Sequence, residues 1–364
     1  MFKAPRYSLF LSYHGFAIFL LVSCLYSALM PFYLNPAHAS EKQLVLLNWS
    51  EYFDQEVLVD FEKEHGIKVT EAYYETDELR TEMLINSDGK GYDLILCNGV
   101  NVALYAQKKW LAPIPEKKIP NLQYVDQRWR EGFPETKTYG VPFFWGTLGI
   151  AYRSDLITKP VTGWHDLFVP DDMLRGKIVM IKDSRDLIGM ALKAKGYSAN
   201  STNPEELDQA KELLLYQKPF VRAYSYVSLS KQSSMVTGQT MMAMIYNGDA
   251  LMLQEHEPAI KFVQPKEGGS LWCDYFLIAS SSLHKEAAYT FLNYIHRPEI
   301  MARLAQYAYY ASTNTKAAEY LPTDFLTNPT IYPPKEVLEK SEIFQQLPPR
   351  TVKKINSIFN LIIQ

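Results

Sequence analysis

Short apolar runs alternate with amphipathic segments along the first hundred residues after the N-terminal segment. Residues 43–47 and 67–73 are typical of strands, and residues 92–96 predict a third strand. Between them, the apolar spacing predicts a helix over 54–65 that Gly66 ends and a helix over 77–86 with Thr76 as its N-cap. Strands that alternate with helices at these distances indicate an α/β fold with a parallel sheet.

The second half of the chain repeats the pattern after a proline-rich stretch at 160–176. Its predicted elements are strands over 177–181, 241–246 and 270–279 and helices near 184–195, 284–296 and 299–307. A further helix is predicted to start at Asn203-Pro204-Glu205-Glu206, with Asn203 as its N-cap. Residues 141–146 and 149–152 are predicted to be extended chain that passes between two lobes. We find no internal repeat.

Length and charge narrow the class of protein. The chain has 364 residues, enough for one large domain or two lobes, and its composition is 47% hydrophobic and 21% charged. The formal net charge is −3 and no basic stripe is present, so nucleic acid is not expected as a partner.

The first 39 residues have the pattern of a signal peptide. Lys3 and Arg6 precede the largely apolar run 16–30, and Ala37-His38-Ala39 matches a signal-peptidase site. We therefore expect export to the periplasm, with cleavage before Ser40.

Two other interpretations of this segment stay open. Leu21-Val22-Ser23-Cys24 resembles a lipid-modification box, which would make the protein a lipoprotein. A membrane anchor is the third interpretation, but Pro31 and Pro36 interrupt the apolar run. If Cys24 is removed, Cys97 and Cys273 are left. In an exported protein these two could form a disulfide, but we expect both to be free, buried thiols.

Catalytic motifs are absent from the sequence. It contains no phosphate-binding glycine loop, no G-x-S-x-G elbow, and no C-x-x-C or H-E-x-x-H pattern. We therefore expect no enzymatic activity, no cofactor and no bound metal. A rival hypothesis from another class is ferric-ion binding, because Tyr309 and Tyr310 are adjacent and have acids nearby.

Aromatic and acidic residues recur where predicted strands end. The first group is Asn48-Trp49-Ser50-Glu51-Tyr52, and the members expected to converge are Trp49, Glu51, Tyr52, Asp183, Asp186, Tyr246, Trp272, Asp274 and Tyr310. Clustered carboxylates require a compensating cation or protons, and aromatic faces attract organic ammonium groups. Each residue also has a structural interpretation. Asp183 could simply cap its helix, and Asp186 could be a first-turn acid.

Several short motifs resemble one family in their order and spacing. They are Asn48-Trp49-Ser50-Glu51-Tyr52, Tyr92-Asp93-Leu94, Pro142-Phe143-Phe144-Trp145-Gly146, Asp183-Ser184-Arg185-Asp186, Ile245-Tyr246-Asn247-Gly248, and Pro265-Lys266-Glu267-Gly268-Gly269 followed by Trp272-x-Asp274. Along nearly the whole mature length, the chain resembles the bacterial periplasmic spermidine/putrescine-binding proteins.

The resemblance implies a two-lobed periplasmic-binding-protein fold of type II, with a polyamine held between lobes that crossing strands join. We expect one lobe from 40–147 and 274–318 and the other from 148–273 and 319–364. The implied ligand contacts are Trp49, Ser50, Glu51, Tyr52, Asn98, Asp183, Asp186, Tyr246, Trp272, Asp274 and Tyr310. In the family, the aspartate matching Asp274 holds an inner amine and the acidic pair holds a terminal one.

The sequence departs from the family pattern at a few positions. Asn98 and Val100 stand where a Ser and a Tyr are usual, and Tyr246 replaces a common Trp. A late Gln contact would be Gln345 or Gln346. The chain is similar to the norspermidine-sensor branch. This implies a monomer that reports to an inner-membrane signalling receptor, with an ABC permease as the alternative partner.

Overall fold

The computed structural model describes residues 42–50 and 52–364. Their strands are β1 (Lys42–Trp49), β2 (Ile67–Tyr74), β3 (Leu94–Asn98), β4 (Gly140–Arg153), β5 (Ile178–Met180), β6 (Val221–Tyr224), β7 (Met242–Tyr246), β8 (Ile260–Val263), β9 (Leu271–Ile278) and β10 (Ala311–Ser312). The predicted leader with Cys24 lies outside the described residues, and so does Glu51.

Helices cover both faces of these strands. They are α1 (Gln55–His65), α2 (Asp77–Asn86), α3 (Val102–Gln107), α4 (Gln127–Arg130), α5 (Thr136–Tyr139), α6 (Trp164–Phe168), α7 (Ser184–Ala194), α8 (Pro204–Gln217), α9 (Asn247–His256), α10 (Lys285–Ile295), α11 (Pro298–Ala308), α12 (Thr323–Leu326), α13 (Lys335–Leu338) and α14 (Pro349–Ile363). Within the described ranges, none of them is long and apolar enough to cross a membrane.

Local capping signals fix several helix ends as the sequence predicts. The Thr76 side chain accepts a hydrogen bond from the Leu79 N–H at the start of α2. Asn203 caps α8 in the same way through the Glu205 N–H. Gly66 ends α1 in the left-handed conformation, with φ of 62°, which favours glycine.

The sheet is mixed, with strand order β2-β1-β3-β9-β4-β7-β5-β6, and β8 and β10 pair with β4. β1 pairs in parallel with β2 and β3, as predicted. β9, however, runs antiparallel to both β3 and β4. The parallel arrangement predicted for the first three strands is therefore confirmed, but it does not extend to the whole sheet, because β9 enters beside β3 from a distant part of the chain and in the opposite direction.

β4 is the strand that connects the two halves of the molecule. Its first part pairs with β9 and packs Phe143 and Phe144 into one hydrophobic core. Its last part pairs with β7 and β8 and packs Leu148 and Ile150 into a second core. The predicted extended passage between lobes is thus one continuous strand of 14 residues.

A second link runs beside β4. The Leu271 N–H donates to the Glu342 carbonyl at 2.9 Å, and the Glu342 N–H donates to the Gly269 carbonyl at 3.0 Å. Leu321, Phe325 and Ile331 lie in the stretch expected in the second lobe, but they pack into the first core. The second core includes residues only from Phe344 onward in this part of the chain.

The C-terminal helix α14 was not predicted from the sequence. It buries Thr351, Ile355, Ile358 and Ile362, which are spaced at intervals of four and three residues. This spacing is a helical signal that the sequence contains. Cys97 in β3 and Cys273 in β9 are both buried, and both thiols are free.

Asp93 joins three segments of the first core. Its carboxylate accepts hydrogen bonds from the Val45 N–H at 2.9 Å and from the Ser282 hydroxyl at 2.6 Å, and it lies 3.2 Å from Nδ1 of His284. The Asp93 side chain is only 8% exposed, so these donors have little access to water without it.

We expect Asp93→Ala to lower the free energy of unfolding by about 2–4 kcal/mol, because it leaves two buried donors unpaired. Urea denaturation followed by circular dichroism measures the change. Asp172→Ala is the matched control, since that side chain is 89% exposed and should change stability by less than about 0.5 kcal/mol. Equal stability of the two variants would contradict the structural role of Asp93.

Candidate functional site

A cavity of about 400 Å³ opens between the two cores, next to the ends of β1, β3 and β7 and the start of β9. The residues lining it are Trp49, Ser50, Tyr52, Glu75, Asp77, Asn98, Tyr226, Val227, Ser228, Leu229, Tyr246, Asp249, Trp272, Asp274 and Tyr310. We call it the main cavity. Strand ends from both halves of the chain therefore meet here, as expected for an α/β fold.

Most of the predicted site residues that the structure describes line this main cavity. They are Trp49, Ser50, Tyr52, Asn98, Tyr246, Trp272, Asp274 and Tyr310. Residues separated by more than 200 positions in the sequence thus share one wall. Glu51 falls outside the described residues.

Asp183 and Asp186 line an adjoining cavity of about 390 Å³, which we call the second cavity. The two cavities share Asp77, Asn98, Tyr246 and Trp272. Asp183 and Asp186, at the start of α7, therefore lie beside the main cavity, and the shared lining residues join the two spaces.

Asp183 also caps α7, as the structural interpretation of this residue proposed. Its Oδ1 accepts hydrogen bonds from the N–H groups of Arg185 and Asp186, at 2.8 and 2.9 Å. Asp186 in turn accepts a hydrogen bond from the Tyr246 hydroxyl, with 2.6 Å between Tyr246 Oη and Asp186 Oδ2. Capping and site formation are thus combined, since the cap fixes where both carboxyl groups lie.

Aromatic rings form a continuous series around the main cavity. The series, with the distance between ring centroids at each step, is Trp49–Tyr226 (5.7 Å), Tyr226–Tyr246 (6.4 Å), Tyr246–Trp272 (5.8 Å), Trp272–Tyr310 (4.8 Å) and Tyr310–Tyr52 (5.8 Å). Ring faces and edges at these distances support each other and offer apolar, electron-rich surface to a guest.

Two glycines make room for these rings. A Cβ atom on Gly146 would lie 2.6 Å from Cζ2 of Trp272, and one on Gly248 would lie 2.6 Å from the ring of Tyr310. Both distances are well below van der Waals contact, so a larger residue would displace the ring. The glycines of the two family-like motifs therefore have a direct steric role in shaping the cavity.

Asp274 is the carboxyl group at the centre of the main cavity. It is 6% exposed, pairs across the sheet with Asn98, and accepts a hydrogen bond from the Tyr52 hydroxyl at 3.0 Å. Burial, with a further contribution from the charge of Asp77, raises the pKa of Asp274 to about 7. An ionised Asp274 is therefore unfavourable here unless a cation is present.

The pKa values of Asp183 and Asp186, the acids of the second cavity, are raised as well. Burial raises the pKa of Asp186 to about 7, against the opposing effect of the Tyr246 hydrogen bond. Burial and the neighbouring charge of Asp186 raise the pKa of Asp183 well above its usual value. Carboxyl groups in both cavities thus favour either protons or a positive guest.

The nearby arginines do not neutralise these acids. Arg185 lies over the Phe344 ring, 4.7 Å from its centroid, and donates to Asn200 Oδ1 at 3.0 Å. Burial lowers the pKa of Arg185 to about 10. Arg80 is fully buried and is held by Asp77 and by the Tyr105 hydroxyl.

Several residues of the site were not predicted from the sequence, and Tyr226 and Asp77 are two of them. Tyr226 stacks on Tyr246, with 26° between the ring planes, and contacts Trp49 from the opposite half of the molecule. Asp77 lines both cavities and is oriented by Arg80 and by Asn101, whose Nδ2 lies 3.1 Å away. Asp77 has the pattern of an ordinary first-turn acid, and Tyr226 lies in a loop without apolar periodicity.

The paired tyrosines of the ferric-ion hypothesis point to different partners. Tyr310 donates to Asp249 at 2.7 Å, and Tyr309 donates to Glu255. Over residues 42–50 and 52–364, no group of three or more His, Cys, Asp or Glu side chains is arranged to hold a metal ion. The arrangement that is present, buried acids between aromatic rings, suits an organic cation better than a metal.

The chain is similar in sequence to proteins of known family. Residues 56–334 match the family model described as bacterial extracellular solute-binding protein. The spermidine/putrescine-binding periplasmic protein of Salmonella typhimurium is 30% identical over 312 residues, which are 85% of this chain and 88% of that protein. The norspermidine sensor of Vibrio cholerae is 28% identical over 311 residues, 85% of each protein.

Solved structures agree with the sequence relatives. PotD of Streptococcus pneumoniae, a spermidine/putrescine ABC transporter substrate-binding protein, gives a TM-score of 0.76 at 25% identity, over 89% of this chain and 100% of that chain. A candidate spermidine/putrescine ABC transporter protein from Listeria monocytogenes gives 0.81 at 30% identity, over 88% and 98%. The predicted two-lobed periplasmic-binding-protein fold is confirmed. This chain belongs to the bacterial extracellular solute-binding protein family, among the periplasmic spermidine/putrescine-binding proteins.

Proposed function

We propose that this chain is a periplasmic receptor for a linear polyamine of the norspermidine and spermidine class. It binds its ligand between the lobes and releases it unchanged, without catalysis and without a cofactor. The names of its relatives support the ligand class. The chain acts as a monomer.

The main support from geometry is that Asp274 and Asp186 are buried among rings without a paired arginine or lysine. A buried carboxylate is costly unless a cation compensates its charge. Ammonium groups joined by methylene chains satisfy both parts of such a site, because amines pair with carboxylates and methylenes pack on rings. A diamine or triamine therefore fits better than a sugar or an anion.

Closure of the lobes would couple binding to a change of shape. Trp49 packs with the first core, Tyr226 packs with the second, and their rings are in contact. Water excluded by this contact strengthens each amine–carboxylate pair, so a ligand held by both lobes favours the closed form. A membrane partner then recognises that form.

We expect Asp274→Asn to weaken spermidine binding about 10- to 100-fold, because it removes a charge-assisted hydrogen bond to an amine. Isothermal titration calorimetry measures the affinity, and the exposed Asp172→Asn is the control. Since the raised pKa shows that the ionised form is disfavoured in the folded state, Asp274→Asn should also leave the empty protein at least as stable at pH 8. Unchanged affinity would remove Asp274 from the proposed site.

Polyamine affinity should depend on pH between about 6 and 8. The pKa values of Asp274 and Asp186 are raised to about 7 in the empty site, so both groups are largely protonated at pH 6. Bound ammonium groups require the ionised forms. Affinity should therefore fall by up to about tenfold per group for each pH unit below 7. Calorimetry at pH 7 in buffers of different ionisation enthalpy should show proton release, and the absence of release would contradict this mechanism.

For the partner, we propose an inner-membrane signalling receptor, supported by the similarity to the norspermidine sensor. An importer permease is the alternative, supported by the relatives described as ABC transporter proteins. The proposed sensor implies that deleting the gene abolishes the surface-attachment response to norspermidine and leaves uptake of radiolabelled spermidine unchanged. Complementation with the wild-type chain and with Asp274→Asn is the control. Loss of uptake in the deletion strain would favour the importer instead.

A further inference from the structure

The second cavity adjoins two other spaces, the main cavity and a groove on the surface. It shares Asp77, Asn98, Tyr246 and Trp272 with the main cavity. On its other side it shares Val100, Asn101, Leu104 and Arg185 with a surface groove between α3 and α14. It therefore lies between the ligand cleft and the outside of the molecule.

The second cavity is lined by acidic, apolar and neutral polar side chains. Its acids are Asp77, Glu78, Glu82, Asp183 and Asp186, and among the described lining residues the one cation is Arg185. The Arg185 side chain is turned onto Phe344 and Asn200. The cavity consequently has an excess of negative charge, directly adjoining the place where an amine is expected.

Exposed apolar residues lie toward the outer end of this cavity. Ile85 is 56% exposed and Leu104 is 36% exposed, and both line the cavity together with the exposed Glu82. α2 carries Ile85 and Glu82 three residues apart, so they lie on one face of the helix. Methylene groups can pack on Ile85 and Leu104 while a terminal ammonium reaches Glu82 or Glu78.

We propose that the second cavity is an extension of the binding site that accepts the additional amine arm of a linear tetraamine. The proposal rests on the proposed polyamine function. A ligand longer than a triamine keeps its central amines at Asp274 and Asp186 and threads its last arm past Asp183 toward Ile85, Leu104 and Glu82. The site is thus open at this end and sets no upper limit at three amines.

The experiment measures the affinities of spermidine and spermine, as triamine and tetraamine probes, by isothermal titration calorimetry on the full-length mature protein. Wild type should bind spermine within about tenfold of spermidine. Ile85→Trp and Leu104→Trp should narrow the outer end, lowering spermine affinity at least tenfold and leaving spermidine affinity unchanged. Ile85→Val and Leu104→Met are the controls that keep the volume similar and should change neither affinity.

A second experiment tests the role of the Glu82 charge at the outer end of the second cavity. Glu82→Gln should weaken spermine binding about three- to tenfold without changing spermidine binding, since one ammonium loses a carboxylate partner. Glu62→Gln, an exposed glutamate on α1, is the matched control. Thermal unfolding of every variant checks that the fold is kept.

The outcomes separate this proposal from the proposed function. If wild type binds spermidine but not spermine, the extension is overturned and the polyamine function stands. If it binds neither, the polyamine function itself fails. If the tryptophan variants weaken both ligands equally, or leave the ratio of the two affinities unchanged, the arm does not occupy this cavity and the extension is overturned.

Discussion

The constraint on which the site depends is the free energy of burying carboxyl groups without partners. Asp274 and Asp186 are held in place by tyrosine hydroxyls, yet within residues 42–50 and 52–364 neither forms an ion pair with an arginine or lysine. Tyrosine hydrogen bonds stabilise the ionised form only in part, and the raised pKa of both groups reflects what is left uncompensated. The empty site is therefore electrostatically incomplete, and a polycation completes it more fully than any uncharged molecule could.

In the proposed mechanism, the uncompensated charge of these carboxyl groups also links ligand binding to closure of the lobes. Acids at the start of α2 and at the start of α7 belong to different cores and line one cavity. Bringing them together raises their mutual repulsion, whereas a cation between them turns the repulsion into attraction to a common partner. The aromatic contact of Trp49 with Tyr226 adds apolar burial where the two halves meet. In the proposed mechanism, charge therefore governs closure of the lobes on the ligand, and ring packing stabilises the closed form.

Much of this could be predicted from the sequence, because it depends on local patterns. Strand ends rich in Trp, Tyr and Asp identified the aromatic residues of the main cavity except Tyr226, together with Asp274, and Thr76 and Asn203 identified their helix starts. The remainder depends on distant contacts. The direction of β9 is set by its pairing with β3. Tyr226 lines the main cavity because its ring contacts Tyr246 and Trp49, which are distant in the sequence. Neither relation leaves a periodic signal in the chain.

Because β4 contributes to both cores, it affects how the protein unfolds. Its Phe143 and Leu148 belong to different cores only five positions apart on one strand. Melting either lobe would strip that strand from its neighbours and expose apolar surface in the other lobe as well. Because both cores share this strand, the two halves are tied into one cooperative unit. Neither half is then expected to stay folded once the other has unfolded.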